Sequence, residues 1–136
     1  MDSAGQASQI KKKKVLIIDD EVFFLQLVKP LLEKAGEYEV TTLISTKDLI
    51  KRINEFKPDI ILLDIIMPDA DGIEVCVSLK KEPFVRDIPV VMLSAMSRDI
   101  EKKKASEAGA DDFIAKPVKK DDLINKIEEV LRRKKS

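Results

Sequence analysis

Histidine is absent from the 136 residues. That removes histidine general-base chemistry, the catalytic Ser/His/Asp and Cys/His arrangements, and most zinc sites. Cysteine occurs once, as Cys76, so no internal disulfide can form. Glycine is scarce at four residues, and none lies in a phosphate-cradling loop of the kind that opens a dinucleotide- or flavin-binding unit. There is no secretory leader and no apolar run of membrane-spanning length, which sets the expectation of a cytoplasmic protein with no membrane span.

Charge of either sign is plentiful, with 25 basic and 25 acidic residues, but it is unevenly placed. Positions 11–14 and 132–135 are all basic. Between 15 and 131, 17 basic residues stand against 24 acidic ones. A body with that excess of acid is a poor nucleic-acid binder, because neutralising phosphates supplies most nonspecific affinity. The basic ends read as solvated helix and tail, not as a membrane contact.

Residues 1–12 begin with a small, polar stretch lacking periodicity and are expected to form a disordered tail. One domain is expected over 13–133, followed by a basic C-terminal end at 134–136. A domain of this size buries about two-thirds of its unfolded surface and needs no disulfide or structural metal. Within it, apolar runs alternate with helical patterns. The runs lie at 15–18, 40–43, 60–63, 90–93 and 113–115. Four are nearly unbroken, as suits strands covered on both faces of a parallel sheet. The second carries Thr41 and Thr42 and reads as an edge strand. Helical stripes come after each run: Phe24, Val28, Leu31, Leu32 and Ala35, with Gly36 as a left-handed cap; Leu49, Ile50 and Ile53; Ile73, Cys76 and Leu79; the polar segment 99–108; and Leu123, Ile124, Ile127, Val130 and Leu131. Pro30 lies inside the first helix and predicts a kink. Right-handed crossovers turn five strand–helix repeats into an α/β fold with helices on both faces of a parallel sheet.

The residues that close the runs carry the chemistry. The first run ends in Asp19-Asp20-Glu21, the third in Asp64, the fourth in Ser94 and the fifth in Lys116. In a parallel sheet these carboxyl ends share one edge, where open α/β folds bind ligands. Closely packed carboxylates repel, and a hard divalent cation relieves them. Mg²⁺ fits, since it takes oxygen ligands and keeps waters that an incoming phosphoryl group replaces. A carboxylate can attack phosphorus to give an acyl phosphate, while Mg²⁺ and a lysine neutralise the charge that is transferred.

The stretches VLIIDDE (15–21), DIIMPDADG (64–72), Leu93-Ser94-Ala95 and Lys116-Pro117 resemble, in order and spacing, those of bacterial response-regulator receiver domains of two-component systems, in particular stand-alone, chemotaxis-regulator-like ones. The resemblance implies a flavodoxin-like doubly wound five-stranded parallel sheet, order 2-1-3-4-5, with five helices. It implies Asp64 as phosphoacceptor, and Asp19, Asp20, Asp64 and the Ile66 backbone carbonyl as ligands of Mg²⁺. Lys116 would bind the phosphoryl group, Ser94 would be the switch hydroxyl and Phe113 the switch aromatic, and the bond before Pro117 would be cis. A histidine kinase or phosphotransfer protein would supply phosphoryl, and a downstream protein would dock on the face of the fourth and fifth helices. No nucleic acid is expected as a partner, and no turnover enzyme.

Several residues also have plainer readings. Asp69 and Asp71 fit a turn into the third helix. Cys76 fits a buried, inert thiol, and Lys102, Lys103 and Lys104 a solvated helix face. Phe113 fits an ordinary core ring. Ile66 and Met96 depart from the polar residues that receivers often carry at these places, and predict a long-lived phosphorylated state. Two other readings stand beside this one: a phosphorylation-independent scaffold with the same fold, and a haloacid-dehalogenase-like phosphatase, a class that also uses a strand-end Asp nucleophile and Mg²⁺. The phosphatase would want an acid two residues after Asp64, where Ile66 stands.

Overall fold

The computed structural model describes residues 11–96 and 98–135. Of the expected tail over residues 1–12, residues 1–10 lie outside them. In chain order the elements are β1 (Lys13–Ile18), α1 (Val22–Lys34), β2 (Tyr38–Leu43), α2 (Leu49–Phe56), β3 (Ile60–Asp64), β4 (Ile66–Met67), β5 (Ala70–Asp71), α3 (Gly72–Leu79), β6 (Val90–Ser94), α4 (Asp99–Glu107), β7 (Asp112–Ala115) and α5 (Lys120–Lys135).

Five strands form one parallel sheet in the order β2-β1-β3-β6-β7. With the small β4–β5 ladder set aside, this is the expected 2-1-3-4-5 order, and β2 is at an edge as its threonines suggest. Every residue of β3 and β6 is buried, which explains why these runs show no polar alternation. Alternate side chains feed two cores. Leu16, Ile18, Leu63 and Met92 pack beneath α2, α3 and α4, against Leu49, Ile53, Cys76, Leu79 and Ala105. Val15, Ile17, Leu62 and Leu93 pack beneath α1 and α5, against Leu25, Val28, Leu32, Leu123, Ile127 and Val130. Truncating a fully buried leucine such as Leu62 to alanine would cost roughly 2–5 kcal/mol.

The face of α1 differs from expectation. Leu25, Val28 and Leu32 form the buried stripe, Phe24 and Leu31 flank it half-buried, and Ala35 is exposed. Val28 and Leu32 lie in the stripe as expected, but the face is turned toward Leu25, and Ala35 caps the helix instead of packing with it. The helix runs unbroken through Pro30, which is exposed along with Gln26, so solvent can satisfy the carbonyl that the proline leaves without a donor. Gly36 takes φ +88°, the left-handed cap its position predicts.

The sequence pattern also missed β4 and β5, a two-residue antiparallel ladder with Pro68 and Asp69 at its turn. Strands this short leave no period to read. The ladder comes directly after β3 and sets the route of the chain past Asp64. Among the described residues no helix is long and apolar enough to cross a membrane.

Candidate functional site

The carboxyl edge of the sheet gathers the predicted residues. Asp19 and Asp64 are buried although acidic, and Asp20 is half-buried beside them. One carboxylate oxygen from each of Asp19, Asp20 and Asp64 lies within 4.8 Å of the other two. The backbone fixes this arrangement. The Asp19 amide donates to the Leu43 carbonyl at 3.0 Å, and the Ile65 amide to the Leu93 carbonyl at 2.9 Å, which ties the ends of β1 and β3 to their neighbours. The Ile66 amide donates to Asp64 Oδ1 at 3.4 Å.

Gly72 closes the site from behind. Its amide donates to the Ile65 carbonyl at 2.7 Å. A methyl group at Gly72 would overlap the Asp64 carbonyl oxygen and come 2.7 Å from the Ile65 Cα. Only glycine lets α3 begin this close to the backbone of Asp64. Asp71 caps that helix as expected, accepting from the Ile73 amide at 2.9 Å, and Asp69 lies exposed in the turn.

Lys116 enters from the end of β7, 97 residues from Asp19 in the chain. Its Nζ donates to Asp19 Oδ2 at 2.6 Å and to Glu21 Oε1 at 2.5 Å, and lies 3.9 Å from Asp64 Oδ2. The ammonium also stands 4.4 Å from the centre of the Phe24 ring. Burial works against the charged lysine, but the hydrogen bonds to Asp19 and Glu21 outweigh it and hold its pKa above the ordinary value. The Lys116 amide donates to the Ser94 carbonyl at 2.8 Å, and the bond to Pro117 is cis as the resemblance implies.

Ser94 is fully buried at the end of β6, and its Oγ accepts from the Met96 amide at 3.0 Å. It caps no helix, since α4 begins only after Arg98. Phe113 sits within β7, half-buried against the core on the α4 side, with Lys102 Nζ 6.0 Å from its ring centre. Ile66 and Met96 are exposed by 53% and 42%, and both line a cavity of about 610 Å³ that Ile65, next to Asp64, also borders. Cys76 is buried, and its thiol faces the Ala108 carbonyl at 3.7 Å. Burial raises its pKa, which leaves it inert.

Electrostatically the site carries an excess of negative charge. Burial, then the neighbouring Asp19, pushes the Asp64 carboxyl up to about 7 against the pull of Lys116. Three clustered carboxylates with all-oxygen donors are the ligand chemistry of a hard divalent cation, so the residues present fit such an ion.

Sequence reasoning missed two neighbours of Lys116. Glu21 had its signal in the Asp-Asp-Glu run, but only the fold shows that it reaches the lysine. Phe24 fits the apolar stripe of α1, and its contact with the lysine leaves no trace in spacing.

Comparisons with known proteins agree with this geometry. The family described as the response regulator receiver domain matches residues 15–128. The phosphate regulon transcriptional regulatory protein PhoB of Pseudomonas aeruginosa is 39% identical over 121 residues, which is 89% of this chain and 52% of that protein. The alkaline phosphatase synthesis transcriptional regulatory protein PhoP of Bacillus subtilis is 36% identical over 121 residues, covering 89% of this chain and 49% of that protein. The chain thus spans about half the length of these curated relatives. Among solved structures, a response regulator from Chloroflexus aurantiacus aligns with a TM-score of 0.84 at 30% identity, over 90% of this chain and all of that one. A two-component response regulator from Clostridium difficile aligns at 0.83 and 30%, over 92% of this chain and 100% of its own. The fold, the order of the motifs and these relatives agree: the chain belongs to the family of response regulator receiver domains.

Proposed function

We propose that the chain is a phosphorylation switch that accepts a phosphoryl group on Asp64 in a Mg²⁺-dependent reaction and relays it as a change in protein binding. The observation that carries this reading is the joining of Asp19, Asp20 and Asp64 in one cluster with the Lys116 ammonium 3.9 Å from Asp64. Held by Asp19, Asp20, Asp64 and the Ile66 carbonyl, Mg²⁺ would supply positive charge against the phosphoryl oxygens. An Asp64 oxygen forms the new bond to phosphorus as the bond to the donor's imidazole nitrogen breaks. The electron pair stays with that nitrogen, which belongs to a histidine kinase or phosphotransfer protein. Lys116 and the Ser94 hydroxyl then contact phosphoryl oxygens, and Phe113 responds on the α4 side. The output is a protein partner on the face of α4 and α5, and the acidic body disfavours nucleic acid at this domain.

The test is mass spectrometry after incubation with Mg²⁺ and acetyl phosphate, which bypasses the unknown kinase. The reading expects a gain of one phosphoryl group that EDTA abolishes, and no sustained turnover of an aryl phosphate. Labelling undiminished in EDTA would contradict it, and steady turnover would point to a phosphatase.

A further inference from the structure

We infer that Glu21 is a positioning residue which holds the Lys116 ammonium in a resting pose that an arriving phosphoryl group must break. This rests on the proposed phosphoryl transfer to Asp64.

A lysine ammonium has three donors. Here two are committed at short range, to Asp19 Oδ2 at 2.6 Å and Glu21 Oε1 at 2.5 Å, while Asp64 Oδ2 is 3.9 Å away, beyond hydrogen-bond reach. The Phe24 ring 4.4 Å away flanks the same ammonium. The third donor is free for a phosphoryl group on Asp64, but the two short bonds fix where the ammonium lies, and drawing it closer to Asp64 stretches one of them. The two partners are not equal. Asp19 is fully buried and held from its other side by the Glu21 amide, which donates to its second oxygen at 2.9 Å, so it cannot exchange the lysine for water. The Glu21 side chain is 60% exposed and can return to water, so Glu21 is the partner that yields.

The alternative for Glu21 is a role in capping, because it stands immediately before α1. Its side chain makes no capping hydrogen bond to that helix. Nor is this an ordinary surface ion pair, since the lysine end of it is only 9% exposed. A phosphoryl group offers more charge than the carboxylate it displaces, so the exchange runs forward once the group arrives. Glu21 therefore sets how readily the site takes it up.

The experiment is calorimetric binding of trifluoroberyllate, a phosphoryl mimic, at Mg²⁺ concentrations shown separately to saturate each variant. Four proteins are compared: the parent, Glu21→Gln, Lys116→Ala and the double variant. Releasing the lysine in Glu21→Gln should tighten binding by roughly two- to fivefold, the range of a partly exposed ion pair. The gain should vanish in the Lys116→Ala background, as coupling through the lysine requires. Unchanged or weaker binding in Glu21→Gln would overturn the inference. So would an equal gain with and without Lys116, because Glu21 would then act only as a nearby negative charge. If the parent itself binds no trifluoroberyllate, the phosphoryl reading fails and this inference falls with it. A parent that binds beside an unaltered Glu21→Gln overturns the inference alone.

Discussion

At the scale of single residues, Asp64 is held at a cost. In the unfolded chain its carboxyl ionises near its ordinary value of 3.8, whereas in the folded protein burial and Asp19 push it up to about 7. Below the lower value both states are protonated and nothing is lost. Between the two the folded state binds the extra proton, so stability falls as pH rises, and above the upper value the loss is complete. In metal-free buffer Asp64→Asn should therefore unfold at the same denaturant concentration as the parent near pH 3, below the unfolded value. At pH 8 it should be more stable by roughly 1–4 kcal/mol. Equal or lower stability of the variant at pH 8 would show that the carboxylate is not strained by its neighbours. The residues of the site were legible because each closes an apolar run, so that topology alone brings Asp19, Asp64, Ser94 and Lys116 to one edge. Glu21 and Phe24 were not, because their contacts with Lys116 depend on where a long side chain lies between β7 and α1.

At the scale of elements, the two edges of the sheet have separate tasks. At the edge away from the site, Asp111 Oδ2 accepts from Lys80 Nζ at 3.0 Å and from the Val90 amide at 2.8 Å. The same ammonium donates to the Ile88 carbonyl at 2.9 Å, so this group clips the end of α3 to the starts of β6 and β7. Asp111→Ala would leave the Val90 amide without this acceptor and take from the Lys80 ammonium its carboxylate partner, with the Ile88 carbonyl remaining to it. The expected loss is roughly 1–3 kcal/mol in urea unfolding, with labelling by acetyl phosphate retained. A loss below about 0.5 kcal/mol would show that the clip is not a stabilising element. At the functional edge the β4–β5 ladder and the segment after β6 present Ile66 and Met96 to one cavity. Neither side chain offers a strong hydrogen bond to a water in line with the Asp64–phosphorus bond, and such positioning governs the rate of attack. The acyl phosphate should decay more slowly in the parent than in Ile66→Asn or the Ile66→Asn/Met96→Glu variant, by about tenfold or more if in-line water is limiting. Decay of the parent as fast as both variants would remove these residues from control of the lifetime. The sequence exposed the identities of these two residues but not the ladder that presents Ile66, because a two-residue strand carries no period.

At the scale of the whole molecule, the parallel sheet with helices on both faces was legible because the runs at β3 and β6 are apolar on both faces, while the strand order came from the resemblance of the motifs to receiver domains. The facing of α1 was not, since Phe24 and Leu25 are both apolar and spacing alone does not choose between them. The packing chooses Leu25 for the core and leaves Phe24 beside Lys116. The central claim is that a scaffold drawing acidic, hydroxyl and basic side chains to one edge serves phosphoryl transfer to a single carboxylate. The most direct measurement is site-mapped labelling of the parent, Asp64→Asn and Asp20→Asn, each exposed to acetyl phosphate with and without Mg²⁺. The account predicts one phosphoryl group on Asp64 in the parent, none in Asp64→Asn, and in Asp20→Asn a reduced yield that added Mg²⁺ partly restores. A phosphoryl group that persists at the same level in Asp64→Asn would contradict it.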